Sequence, residues 1–236
     1  MSDISSSHGT PGLVVAVDGP SGSGKSTAAR RAAGALGLRY LDTGSMYRAL
    51  TWWLLRQEVD LDDPAAVVSR LDAPVITVVP DPAQPRILVD GRDVGEPIRT
   101  REVSNAVSAV AVIPQVRTVL ISRQQEIIAE ALAAGTGIVA EGRDIGTVVA
   151  PHAPVKVYLT ASETARALRR SADLAGDPGA TVATIQREQA RRDRRDADQM
   201  VMAADAVEID TTALSLDEVV GEIVQLARGW LAVSRG

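Results

Sequence analysis

Nothing in this chain constrains its fold more than one octapeptide, Gly19-Pro20-Ser21-Gly22-Ser23-Gly24-Lys25-Ser26, which satisfies G-x-x-x-x-G-K-[ST] in full and is followed by Thr27. The apolar, β-branched run Leu13 to Val17 before it reads as a buried strand ending in a turn. The Ala-rich run Ser26 to Leu36 after it has no breaker before Gly34 and reads as a helix. That context is the one the motif needs. Glycines let the backbone curl so that successive N–H groups face phosphate oxygens, and the helix N-terminus adds its positive dipole end. Lys25 is then placed to bridge β- and γ-phosphates, and the Ser26 hydroxyl to coordinate Mg²⁺. A Gly/Ser-rich turn with a chance lysine is the bland alternative. It is disfavoured because the chain has only two lysines, Lys25 and Lys156, and one falls at the required position. Residues 19 to 27 are therefore expected to bind a nucleoside triphosphate.

The rest of the chain alternates short apolar runs with helical texture. Residues 1–12 read as a disordered tail. Arg39 to Leu41, Gly137 to Ala140, Val155 to Leu159 and Ala206 to Ile209 read as further strands, and Asp217 to about Leu231 as a last helix. Asp42-Thr43-Gly44-Ser45 is turn and N-cap chemistry, followed by Met46, Leu50, Trp53 and Leu54 at helical spacing. Between Pro74 and Pro97, two β-branched runs around a Pro-rich link predict a small antiparallel insertion. Its Gly91-Arg92-Asp93 reads as a hairpin turn without chemistry. Residues 99–134 are helical, with Pro114 as a boundary. Buried strands alternating with helices predict an α/β fold with a parallel core sheet, whose ligands bind beyond the carboxyl ends of the strands.

Composition removes several other functions. The 236 residues include no Cys and no Phe, so there is no thiol nucleophile or Cys-ligated metal, and Ala, Val, Leu and Ile must build the core. The two histidines, His8 and His152, are too far apart to suggest a local metal motif. A net charge of −5 argues against a general nucleic-acid surface. No run approaches the roughly 18 apolar residues that span a bilayer, and the polar start lacks a signal-peptide pattern. The expectations are a cytoplasmic location with neither nucleic acid nor membrane as partner.

Among proteins with such a phosphate loop, a GTPase switch needs a guanine-reading N-K-x-D, which neither lysine provides. A motor ATPase needs an acid pair after an apolar strand, which Glu141 only imitates. Small-molecule kinases remain. An alcohol acceptor benefits from a general base. A phosphate acceptor is largely dianionic near neutral pH and instead needs cations that bring two polyanions together. Arg48, Arg99, Arg117, Arg143 and the 187–195 cluster, each near an element boundary or helix start, favour the phosphate acceptor.

The segments DGPSGSGKST, LDTGSMYRAL, IRTREVSNAVSAVAVIPQVR, IVAEGRDIGTVV, PVKVYLTAS, RALRR and DAVEIDTT, in this order and spacing, closely resemble the bacterial cytidylate kinase family over about residues 13 to 230. The resemblance implies a three-layer nucleoside monophosphate kinase fold with a mobile lid: core 13–41, 136–165 and 200–236, monophosphate lobe 42–135 with the insertion 74–97, and lid 166–199, within one domain 13–236. It also implies phosphorylation of CMP and dCMP by ATP with Mg²⁺, by a monomer. A same-fold kinase for UMP, AMP or shikimate is the alternative reading, and an impaired nucleotide binder a further one. By similarity, Tyr47, in the first turn of its helix, packs by the pyrimidine. Arg48 and Arg143 hold the acceptor phosphate. Thr43 and Ser108 line the CMP site, and Arg117 donates to the base carbonyl. Asp144 can accept from the exocyclic amine that cytosine has and uracil lacks. Glu141 approaches Mg²⁺ through water, and Arg166 joins the ATP site.

In the lid, Arg187, Arg191 and Arg195 recur every four residues, which on a helix is one solvated, ion-paired face. The resemblance assigns Arg192 to phosphate and Asp196 to the sugar. It also shows a departure: the family's S-T-R…P-L segment is about four residues shorter here, and Gln199 stands where its arginine falls. A raised Michaelis constant for CMP is expected from that. Catalysis is expected to be in-line displacement, with Lys25, Arg143 and Arg192 neutralising charge and no obligatory general base.

Overall fold

The computed structural model describes residues 12–174 and 179–234, so residues 1–11 of the expected tail lie outside it. The phosphate loop joins β1 (Val14–Asp18) to α1 (Lys25–Leu36). β2 (Arg39–Asp42) and α2 (Thr43–Arg56) follow, then a short α3 (Pro64–Val68). Next come β3 (Ile76–Val79), β4 (Arg86–Val89) and β5 (Arg92–Asp93), α4 (Arg101–Ala111) and α5 (Pro114–Ala133). The remaining elements are β6 (Ile138–Glu141), β7 (Val155–Thr160), α6 (Glu163–Asp173), α7 (Val182–Arg195), β8 (Val207–Asp210) and α8 (Leu216–Ser234). Five strands form one parallel sheet in the order β2-β6-β1-β7-β8.

Both faces of that sheet are covered at its centre, so β1 and β6 are buried along their whole length without alternation, whereas the edge strand β8 exposes Val207, Glu208 and Asp210. Leu13, Val15 and Val17 pack with Ala28, Ala29, Ala32 and Ala33 of α1 and with Ile223 and Ala227 of α8. Val14 and Ala16 face the opposite layer, built on Met46, Leu50 and Leu54 of α2 and on Val116, Leu120 and Ile127 of α5. The four alanines let α1 lie close to the sheet, one way a core without phenylalanine reaches close packing. Helices α6 and α7, in the segment expected to form a lid, have only a small apolar cluster of their own, centred on Ala167, Ala180 and Ile185. Among the described residues no single helix is long and apolar enough to cross a membrane.

The insertion differs from its sequence reading. Its turn is Asp90-Gly91, both at positive φ (51° and 77°), a conformation Gly and Asp tolerate. Arg92-Asp93 is thereby released to form a third strand paired with Leu88 and Val89. Pro114 does break the helical stretch: α4 and α5 meet at 102°. Tyr47 and Arg48 lie beyond the first turn of α2, because Asp42 caps that helix by accepting from the Ser45 N–H at 2.9 Å.

Candidate active site

A cleft of about 520 Å³ opens at the carboxyl ends of β1, β2 and β6, where a parallel sheet of this kind binds ligands. One wall is the phosphate loop. Gly19 has φ 140°, and a Cβ there would fall 2.1 Å from the Leu159 carbonyl oxygen, so only glycine fits against β7. Gly24, at the N-cap of α1, offers no side-chain cap, which leaves the first N–H groups of α1 facing the cleft. The Lys25 ammonium donates to the Pro20 carbonyl at 2.9 Å. Burial, then the Arg143 guanidinium, push its pKa down, and the Glu141, Asp18 and Asp42 carboxylates pull the other way.

Asp18, buried at the end of β1, accepts from the Ile145 and Gly146 N–H groups, both at 2.8 Å. This clamp fixes the π-helical turn Ile145–Val149 and with it the neighbouring Arg143 and Asp144, alongside the phosphate loop. Burial raises the Asp18 pKa. Arg143 Nη1 in turn donates to the Gly19 carbonyl at 2.8 Å.

Ser26, Asp42 and Glu141 share the loop end of the cleft. Glu141 is buried, its carboxylate accepting from the Tyr40 hydroxyl at 2.8 Å and its carbonyl from the Thr43 hydroxyl at 2.7 Å. Burial, then the Asp42 carboxylate, raise its pKa. Two carboxylates and a hydroxyl are hard oxygen donors that suit Mg²⁺, and a divalent cation would relieve the repulsion between the acids. Among the described residues no group of three or more metal-ligating side chains forms a cage. The donor set thus fits an ion that keeps its waters and binds through nucleotide phosphates.

Four guanidinium groups converge farther in. Arg48 Nη1 donates to the Ser104 hydroxyl at 2.8 Å, and Arg170 Nη2 to the same oxygen at 3.2 Å. Arg143 pairs with Asp196 at 3.3 Å, and Arg192 reaches the Ser21 hydroxyl at 3.4 Å. Burial, together with the other arginines, lowers Arg48 to about 10 and Arg192 to about 9. Cations that depress one another this way are stabilised by an anion placed among them. Arg170 was not among the residues singled out from sequence, although the RALRR segment contains it; its partner Ser104 is 66 residues away.

The far end of the cleft holds Tyr47, Ser108, Arg117, Asp144 and Asp196. Arg117 and Asp144 form a short ion pair. Pro114 lets α4 and α5 present Ser108 and Arg117 to one space. The Ser108 hydroxyl donates to Asp196 Oδ1 at 2.9 Å, tying the end of the lid to α4. Burial pushes the Tyr47 hydroxyl up to about 12, so it stays protonated. Gln199 lines the same cleft and donates to the Ala111 carbonyl at 3.4 Å. Gly19, Pro20, Ser23 and Arg166 lie outside the lining. In α7, Arg187, Arg191 and Arg195 are exposed, and the inward face is Ile185, Gln189, Arg192 and Asp196.

A phosphate loop between β1 and α1 of a parallel sheet, facing converging arginines, defines a P-loop phosphotransferase. A family model for cytidylate kinase matches residues 15–229, and the chain belongs to the cytidylate kinase family. Cytidylate kinase of Streptomyces coelicolor is 50% identical over 217 residues, covering 92% of this chain and 93% of that protein. That of Streptomyces griseus is 48% identical over 218 residues with the same coverage, and that of Rhodococcus opacus 47% over 220 residues, covering 91% and 94%. The chain is thus a kinase of the class that phosphorylates CMP.

Proposed function

We propose that the protein transfers the γ-phosphoryl group of ATP to CMP and dCMP by in-line displacement, with Mg²⁺ as the accompanying ion. The observation that carries this reading is the single cleft joining the phosphate loop to the Arg48, Arg143, Arg170 and Arg192 cluster, with the Arg117–Asp144 pair beyond it. Loop N–H groups and Lys25 hold the triphosphate. Arg48 and Arg143 grip the acceptor phosphate, and Arg192, within reach of the loop, spans donor and acceptor. Ser26 and, through water, Glu141 would hold Mg²⁺, which would supply charge neutralisation on the triphosphate. The acceptor is already largely dianionic near neutral pH (second pKa about 6), so no residue need remove a proton.

Asp144 beside Arg117 offers an acceptor next to a donor. Cytosine meets that pair with its exocyclic amine for Asp144 and its ring carbonyl for Arg117, whereas uracil presents a carbonyl where the amine would be. Tyr47 flanks the base, Thr43 and Ser108 complete the pocket, and Asp196 reads the sugar. The test is ADP formation from Mg²⁺–ATP with CMP, dCMP, UMP, AMP, GMP and shikimate. Strong turnover with CMP and dCMP and weak turnover with UMP is expected; preference for any other acceptor overturns the assignment.

A further inference from the structure

The two lid helices meet the phosphate loop at one peptide. The Ser21 carbonyl accepts from Arg166 Nη1 at 3.1 Å and from Gln189 Nε2 at 3.5 Å. The same Nη1 pairs with Asp193 at 2.6 Å. Arg166 and Asp193 expose only 8% and 18% of their side chains, so water weakens this pair little. No peptide in the described chain is cis, and in a trans peptide the C=O and N–H point in opposite directions. A Ser21 carbonyl turned toward the lid therefore turns the Gly22 N–H away from it, toward the cleft that Ser21 and Gly22 line. Among the described residues that N–H has no protein acceptor.

Gly22 has φ 80°, and a Cβ there would fall 2.7 Å from Gln189 Nε2 and 3.0 Å from both Arg166 Cβ and the Arg166 carbonyl. The lid thus occupies the space a side chain would need.

We propose that Asp193 is a positioning residue: by holding Arg166 against the Ser21 carbonyl, with Gln189 beside it, it fixes the Ser21–Gly22 peptide so that the Gly22 N–H faces the triphosphate. Asp193 itself touches no substrate in this role. The inference rests on the reading of Gly19 to Ser26 as the triphosphate cradle. Its test is Asp193→Asn, which keeps the shape and removes the charge. The Michaelis constant for ATP should rise about tenfold, near the low end for losing a charged hydrogen bond, with that for CMP within about twofold. Asp193→Glu should restore most of the loss. In ¹⁵N-labelled protein the Gly22 amide resonance should shift on adding tripolyphosphate, and shift less in Asp193→Asn. An unchanged constant for ATP, or constants for ATP and CMP rising in parallel as general lid loosening would make them, overturns the proposal. Failure of tripolyphosphate to bind the unaltered protein would instead overturn the cradle reading.

Discussion

Replacing Asp144 by Asn tests base recognition with little change of shape. The Asp144 carboxylate is 11% exposed and has one side-chain partner, the Arg117 guanidinium. Its backbone carbonyl, which accepts from the Val148 and Val149 N–H groups, is untouched by the substitution. A charge-assisted hydrogen bond in such a place contributes about 1.5–3 kcal/mol. With about 1.4 kcal/mol per tenfold, kcat/KM for CMP should fall by about 10- to 150-fold. Asn also carries an amide that can donate to the uracil carbonyl, so UMP should lose less or gain. The CMP:UMP ratio of kcat/KM should therefore shrink at least about tenfold. The assay is coupled ADP release at saturating ATP, with a melting curve to show that the variant is folded. Equal losses for CMP and UMP would remove Asp144 from base discrimination and leave it only as a partner for Arg117.

Lys25→Ala should lower turnover by on the order of 10²–10³, as removal of a charge-stabilising donor does; retained turnover would take Lys25 out of the mechanism. Asp18→Asn should destabilise the fold by about 1–3 kcal/mol in urea melts, because its amide must face one of the two N–H groups both carboxylate oxygens now accept from. Unchanged stability would mean that the clamp is dispensable. Replacing Ala197-Asp198-Gln199 by Ser-Thr-Arg should lower the Michaelis constant for CMP by adding a cation to the cleft wall, and an unchanged value counts against the shortened segment as the cause.

The strands and the phosphate loop are legible in sequence because their signals are local: a β-branched run, a fixed glycine spacing, an alanine-rich helix. The short helix α3 went unread, although its signals are local: Asp63 caps it by accepting from the Ala65 N–H and Pro64 opens it. What sequence hides is contact between distant segments. Asp18 reads as the end of a strand, and nothing near it announces partners 127 and 128 residues away. Arg170 resembles any surface arginine of an amphipathic helix until Ser104 is brought beside it. In α7, a four-residue arginine period marks the exposed face. The inward face is the less regular Gln189, Arg192 and Asp196, which only the packing of Ile185 against the segment's own small core turns toward the body.

That small core also explains how the lid is held. The sheet's two faces bury extensive apolar clusters, whereas the lid's fully buried apolar residues are Ala167, Ala180 and Ile185. Its attachment to the body is polar: Arg101 to Glu188 at 2.6 Å, Ser108 to Asp196 at 2.9 Å, Arg166 to the Ser21 carbonyl at 3.1 Å, Arg170 to Ser104 at 3.2 Å. Such contacts are individually modest. The lid also brings two guanidinium groups, Arg170 and Arg192, toward the Arg48 and Arg143 pair, and that repulsion opposes its docking. Phosphates placed among the four remove the repulsion and give the guanidinium groups charge-assisted partners. Any ligand that binds the docked arrangement better than the undocked one stabilises it in proportion to that difference. On the proposed function, binding of two phosphate-bearing substrates therefore favours the docked arrangement through Arg48, Arg143 and Arg192, which the sequence marks for phosphate, and through Arg170, which it does not.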